Sequence, residues 1–476
     1  MYFRTGFVLL MVSSLGLGQG PGSPQARAAE ARAGAAAVVI TPEPGTPMAG
    51  YYFAREAEKV HDDLYAKALV IESGGAKTAL VALDLISTTR DLVEDARREV
   101  EKATGIPGGS VMISATHAHT GPVLRGRGVR DVALGGNSDL SLKFREGLPA
   151  KIAEAVRQAD AKLAPARLFV GHGHEASIAF NRRFHRTDGT VGWNPGKLNP
   201  RIIKPAGTTD PDVPIVYAET TSGKPIATYV NYAVHLDNIG GPAISADMPY
   251  TLSRSLAGFK GDDMVTLFTA GCCGDINHVD VTWREPQKGF ENAARMGVIL
   301  AGEVLRTWPR LKPLEAAPLR VKSAIVPLDL PRVEPAEVEK ARALAARLAD
   351  KSSKEKPPTF LEQVWTYKVL DVDRRAGKPQ EVEVQVIALG KELAWVSLPG
   401  EIFVELGLTI KQDSPFPHTV IAELANGAIG YIPSRRAYPQ GNYEVVSARC
   451  AEGSGEKLVS AAVKLLDELY AEASRK

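Results

Sequence analysis

The chain has 476 residues, with 57 Lys and Arg against 55 Asp and Glu, a formal net charge of +2. Charge this balanced, spread along the chain instead of blocked, leaves no electrostatic footprint for nucleic acid. An apolar share of 44% with 24% charged residues excludes disorder as the main state, and 44 glycines with 32 prolines require many turns, which disfavours a fold made of helical bundles alone.

The first segment reads as a secretory signal peptide over residues 1–28. Arg4 supplies a basic start, residues 6–17 are an apolar run, and Ala26-Arg27-Ala28-Ala29 offers a small-x-small cleavage site. The run is too short for the ~20 residues of a spanning helix, and no later segment approaches that length. A single N-terminal anchor is the alternative; the expectation is export to a periplasmic or extracellular space. The mature chain, 29–476, then carries 55 residues of each sign. Cys272, Cys273 and Cys450 form no disulfide framework, although one bridge from the adjacent pair to Cys450 is allowed in an oxidising space.

Beyond the leader, short apolar strands alternate with longer amphipathic helices, an α/β pattern. Strands are predicted at 78–85, 111–114, 167–170, 226–234, 264–270, 381–389, 393–398 and 419–424. Helices are predicted at 89–103, 141–159, 248–257, 291–307, 335–349 and 455–473. In 335–349, Val338, Ala341, Ala345 and Leu348 keep helical spacing with charges opposite, as in a solvent-facing helix covering a core. Residues 187–214, rich in Gly, Pro, Asn and Asp, read as a long irregular loop. The charged run ending in two prolines at 351–358 reads as an exposed connector separating a front portion from a back one.

Several strands run directly into loops bearing metal-compatible or reactive side chains, and the carboxyl ends of strands in open α/β sheets are where ligand crevices form. The strand at 111–114 leads into His117-Ala118-His119, that at 226–234 into His235-Leu236-Asp237, and that at 264–270 into Gly274-Asp275-Ile276-Asn277-His278. The strand at 393–398 leads into Pro399-Gly400-Glu401, and that at 419–424 toward Tyr431. Alternation with period two places His117 and His119 on one side of an extended segment. Two neutral imidazoles and a carboxylate make a common catalytic zinc set. Taken singly, each residue also has an ordinary role: His235 as a satisfied core histidine, Glu401 as a helix N-terminal acid, Tyr431 as a half-buried phenol. Asp237 and Asp275 are candidate partners for ligand histidines. His61 and His185 are expected either to line the cleft or to sit on loops, and His172 and His174 to stand at a strand end without a ligand role.

Together these segments carry a resemblance. Residues 60–69, Thr116-His117-Ala118-His119-Thr120-Gly121-Pro122, Asn231-Tyr232-Ala233-Val234-His235, Gly274-Asp275-Ile276-Asn277, Leu398-Pro399-Gly400-Glu401 and the stretch from Asn426 to Tyr443-Glu444 resemble the neutral/alkaline non-lysosomal ceramidase family. The matches run in order from about residue 35 to the end. The resemblance implies a single large catalytic domain of mixed sheets flanked by helices, and a zinc amidase that cleaves the N-acyl bond of a lipid-like substrate. It implies His117, His235, Glu401 and Tyr431 as zinc ligands, with His119, Tyr443 and Arg182 around the substrate carbonyl and head group. With no later segment long enough to span, the mature chain is expected to be soluble, with any membrane-surface contact made through its substrate. Two departures stand out. Asn277 occupies the position where the family carries a nucleophilic serine, so zinc-activated water becomes the expected attacker, with Asn277 as a candidate hydrogen-bond donor. No length remains for the family's C-terminal immunoglobulin-like domain. Other readings are an esterase, an amidohydrolase-type barrel, which also uses His-x-His, and a metal-stabilised lipid- or glycan-binding protein without catalysis.

Overall fold

The computed structural model describes residues 1, 31–124, 128–350, 352 and 356–474; apart from Met1, the expected signal peptide lies outside them. Among these residues the larger sheet has nine strands. From one edge run Val265–Ala270, Pro225–Tyr232, Asp212–Thr220, Ala164–His174, Arg32–Val39, Tyr65–Ser73, Ala76–Leu83 and Val111–Ala115, with Lys312–Leu314 pairing to Ala164–His174 off that path. The pair at each edge is parallel and the middle is antiparallel. A second sheet orders Leu319–Leu328, Gln380–Leu389, Leu393–Ser397 and His418–Ala422, its last pair parallel.

Side-chain alternation explains how the sheets stack. In Pro225–Tyr232, Ala227 and Tyr229 join Leu69, Leu80, Leu267, Trp395 and Val420 in a core between the two sheets. Val230 and Tyr232 point the other way, onto Met248, Leu252, Met296 and Leu300 of helices Met248–Lys260 and Phe290–Thr307. A further core under helices Arg90–Thr104 and Asp139–Ala161 covers the rest of that outer face. Helix Ser454–Ser474 covers the outer face of the smaller sheet with Leu458, Ala462, Leu465, Leu466 and Leu469. The architecture is helix, sheet, sheet, helix, and each fully buried leucine contributes roughly 1.5–3 kcal/mol to it. Helix Arg90–Thr104 begins where Thr89 accepts from the Leu92 N–H and ends at Gly105, whose φ of 71° suits glycine.

The predicted strands and helices all form, most within a few residues of their expected ends. Among the strands of eight or more residues, four were not anticipated: Arg32–Val39, Tyr65–Ser73, Asp212–Thr220 and Leu319–Leu328. Helix Phe360–Asp373 was not anticipated either, whereas the helical run expected after Glu401 forms as Val404–Asp413. Arg32–Val39 is alanine-rich and lacks a local strand signature. It is a strand because it completes the sheet between two long neighbours, and Gly34 allows the approach of helix Asp139–Ala161, since a Cβ there would lie 2.2 Å from the Ala159 oxygen. Residues 187–214 are not irregular throughout, because Val191–Trp193 and Ile202–Pro205 flank Arg183–Arg186 in a small sheet. The connector, partly outside the described residues, separates nothing: Leu319–Leu328 pairs along its whole length with Gln380–Leu389 beyond it. The amidohydrolase-type barrel is overturned, since the described residues form two open mixed sheets.

Candidate active site

Strands from both sheets end at one place. His117 follows Val111–Ala115, His235 follows Pro225–Tyr232, Glu401 follows Leu393–Ser397, and Tyr431 lies beyond His418–Ala422. Asn426 ties the sheets together here. Its side-chain oxygen accepts from the Ile113 N–H at 3.0 Å, and its amide donates to Gln385 and Ser397 at 2.9 and 3.2 Å. A bridge of Ser114 to Ala425 adds to the joint.

The imidazoles of His117 and His235 are aimed by backbone carbonyls. Nδ1 of His117 lies 2.9 Å from the Ile86 oxygen, and Nδ1 of His235 lies 3.1 Å from the Cys273 oxygen. A carbonyl only accepts, so each Nδ1 carries the proton and each Nε2 presents a lone pair. Those two Nε2 atoms face each other at 2.9 Å. His119 brings a third, its Nε2 3.4 Å from that of His117. Burial pushes all three rings toward the neutral form, His119 down to about 3. His117 adopts φ 74°, a left-handed backbone that costs a non-glycine residue of order 1–3 kcal/mol and is held by the surrounding strands.

Glu401 and Tyr431 sit side by side because Glu401–Ile402 and Tyr431–Ile432 form a short parallel pair. The Glu401 Oε2 lies 3.7 Å from Nε2 of His117 and 3.5 Å from Nε2 of His235, and it is buried with no hydrogen-bond donor. The Tyr431 hydroxyl is 3.5 Å from the His235 Nε2. Gly274 permits the close fit, since a Cβ there would come within 2.4 Å of the Glu401 backbone oxygen. Converging lone pairs beside an orphaned carboxylate oxygen suit a divalent cation, and the buried group His117, His119 and His235 can hold a metal, its ligand atoms all within 4.8 Å of one another. The donors present fit such an ion.

Arg182 lies against this centre. Its Nη1 is 3.2 Å from the His235 Nε2, its Nη2 donates to the Gly274 oxygen at 2.7 Å, and its Nε donates to Glu444 at 2.9 Å. Glu444, fully buried, also receives Arg183 at 2.7 Å. Burial opposes the charge on Arg182, yet Tyr431 and Glu444 hold its proton more firmly than usual. The guanidinium stands over the rings of Tyr431 and Tyr443, which pack 5.2 Å apart. On the opposite side, Nδ1 of His119 is 3.7 Å from Asp237, which accepts the Tyr51 hydroxyl at 2.5 Å. Burial works against ionisation of Asp237, but His119 and Lys288 outweigh it and hold the carboxyl at about 2.

Seven of the eight expected site residues therefore meet. Asn277 does not join them through any hydrogen bond: its amide donates to Asn194 at 2.8 Å and its oxygen accepts from the Val279 N–H at 3.0 Å, which commits it to the loop beside the site. Asp275 partners no ligand histidine; it accepts from Asn181 and from the Val404 N–H, both at 2.8 Å. All three cysteines are free and buried, without the allowed bridge. His172 pairs with Asp212 and His418, and neither it nor His174 lines the cleft. Glu444 and Tyr51 were not anticipated as site residues. Their roles come from partners far away in the chain, a relationship no local pattern signals.

A cleft of about 540 Å³ opens onto His117, His119, Glu401, Tyr431 and Tyr443. The fold and the centre together define a two-sheet α/β protein with a metal-competent cluster at strand ends. No family model and no curated protein matches the chain. Solved structures do: the chain superposes on neutral ceramidase from Pseudomonas aeruginosa with a TM-score of 0.71 at 19% identity, covering 92% of this chain and 75% of that one. A ceramidase complexed with C2 gives 0.72 at 18% identity, covering 92% and 76%. The chain has the neutral ceramidase fold, as the sequence resemblance implied. No helix among the described residues is long and apolar enough to cross a membrane.

Proposed function

We propose that the chain is an exported zinc-dependent hydrolase of N-acyl amide bonds, similar in chemistry to neutral ceramidase. The observation that carries this reading is the pair of imidazole lone pairs facing each other at 2.9 Å beside the donor-free oxygen of Glu401. His117, His235, Glu401 and Tyr431 would hold the ion, and a set of two imidazoles with a carboxylate and a phenol favours zinc over a hard cation such as magnesium. When bound, zinc supplies Lewis acidity and lowers the pKa of water toward ~7. That chemistry requires no serine, so Asn277 at the family's nucleophile position is compatible with turnover.

The protein's own groups complete the reaction. His119 takes up the proton of the attacking water at Nε2 and returns it to the leaving nitrogen, with Asp237 behind Nδ1 stabilising the transient imidazolium. Arg182 and Tyr443 donate to the developing oxyanion, and one well-placed donor is worth roughly 3–4 kcal/mol. Burial and the Glu401 carboxylate hold the Tyr431 phenol well above its usual range, with Arg182 opposing them, so only a bound cation would supply the charge that favours the phenolate.

The test is metal analysis of the purified protein, followed by assays on short-chain N-acyl sphingosine, N-acyl amino acids and simple esters with and without chelator. The expected result is stoichiometric zinc and amide cleavage that chelator removes and zinc restores. Undiminished turnover after the metal is stripped would overturn the reading; tight ligand binding without turnover would point to the binding-protein alternative.

A further inference from the structure

One wall of the cleft is formed by the turn that follows helix Phe360–Asp373 and by the start of strand Gln380–Leu389. Arg374, Arg375 and Lys378 all line the cleft from this turn. None of the three meets a carboxylate. Arg375 donates only to the backbone oxygens of Lys378 and Pro379, at 3.3 and 2.8 Å. The side chains of Arg374 and Lys378 make no hydrogen bond or ion pair among the described residues.

The surrounding carboxylates are mostly taken. Asp371 is held by Arg449 at 2.7 Å, and Asp91 and Glu383 are neutralised from behind the wall by Arg145 and Arg97 at 2.8 and 2.7 Å. Glu381 is the exception, exposed and without a cationic partner on the same stretch. Deeper in, Arg130 lines the cleft over the face of Tyr52, with Asp131 as its nearest carboxylate at 3.5 Å. Arg374, Arg375 and Lys378, gathered at a concave wall with Glu381 as the one unpaired carboxylate beside them, focus a positive potential into the cleft. An uncharged sphingoid amide would bury that wall and compensate none of its charge.

We infer that the substrate carries an anionic group, carboxylate or phosphate, which the cleft receives at Arg374, Arg375 and Lys378 while the acyl carbonyl lies at the His117, His235 and Glu401 end. The inference rests on the amidase reading and specifies its substrate class. Guanidinium pairs bind planar carboxylates and phosphates in a bidentate manner, so the two arginines set orientation and Lys378 adds charge.

The experiment compares three amides of one acyl chain: N-acylglycine, N-acyl phosphoethanolamine and the uncharged N-acyl ethanolamine. Each is assayed for kcat/KM and for calorimetric binding to the metal-loaded protein, with wild type and with the triple variant R374Q/R375Q/K378Q. All three residues lie on one solvent-facing turn, so folding is checked by the variant's unchanged metal content. The expected result is tighter binding of the anionic amides, with preference between carboxylate and phosphate naming the source. The anionic-to-neutral ratio should fall about tenfold or more in the variant, and in wild type at high salt. Equal affinity for charged and uncharged amides, or a ratio the variant leaves unmoved, overturns the inference while the amidase reading stands. Charge-dependent binding with no cleavage of any amide overturns the amidase reading and leaves the anion site in place. Failure of both measurements removes both.

Discussion

The guanidinium of Arg182 stands 3.2 Å from Nε2 of His235, with both side chains buried. Arg182 thus addresses the same lone pair that a metal would take. Once an ion occupies that lone pair, Arg182 is released to donate elsewhere in the centre, where the proposed reaction develops negative charge. Replacing it with methionine, Arg182→Met, should preserve zinc content and lower kcat by about 10²–10³-fold, as for loss of an oxyanion donor. Parallel loss of zinc in this variant would show that the residue serves the metal site alone.

Glu444 anchors Arg182 and Arg183 with its two carboxylate oxygens, 2.9 and 2.7 Å away. Truncation leaves two buried guanidinium groups without their counter-charge. Glu444→Ala should cost about 3–5 kcal/mol of unfolding free energy by denaturant titration, with Glu444→Gln losing less because it still accepts hydrogen bonds. An alanine variant as stable as wild type would contradict this account of the pair.

His117→Ala and His235→Ala should each abolish zinc binding and amide cleavage together. In Asn277→Ala, by contrast, measurable rate should persist, since the Asn277 amide is committed to Asn194 and water is the proposed attacker. Normal turnover in both histidine variants would refute the metal assignment; complete loss of rate in the asparagine variant would assign that residue a direct part in the chemistry.

A pH effect is expected far from the cleft. Asp212 is partly buried, which works against its charge. Its hydrogen bond to His172 and ion pair with Lys411 prevail and hold its carboxyl at about 2, below the ordinary 3.8. A lowered folded-state pKa stabilises the protein above pH ~4, and this contribution of about 2 kcal/mol is lost as pH falls from there through the folded value. Asp212→Asn should reduce stability at pH 7 and flatten the acid limb between about pH 4 and 2. Urea midpoints measured across that range check it, and an unchanged slope would refute it.

Much of the centre was legible because its residues sit in short local signatures. His117-x-His119 after an apolar strand, His235 after another and Glu401 after Pro-Gly each mark a strand end, and strand ends in such folds gather at one edge. Arg32–Val39 was not legible, since alanine-rich sequence has no period of its own and its strand is decided by long neighbours on both sides. Leu319–Leu328 shows the same limit, as its partner lies past the expected connector.

Most of the longer strands and helices, the apolar faces that bury them and the residue types offered at the loop tips follow from the sequence by itself, because hydrophobic period and loop chemistry are local properties. The resemblance already grouped His117, His235, Glu401 and Tyr431, and the tertiary structure brings them together; it alone decided that Glu444 stands behind Arg182 and that Asn277 turns aside to Asn194. Those outcomes depend on how two sheets are joined at Asn426 and on which backbone carbonyl each ring can reach, and both are set by packing between segments hundreds of residues apart.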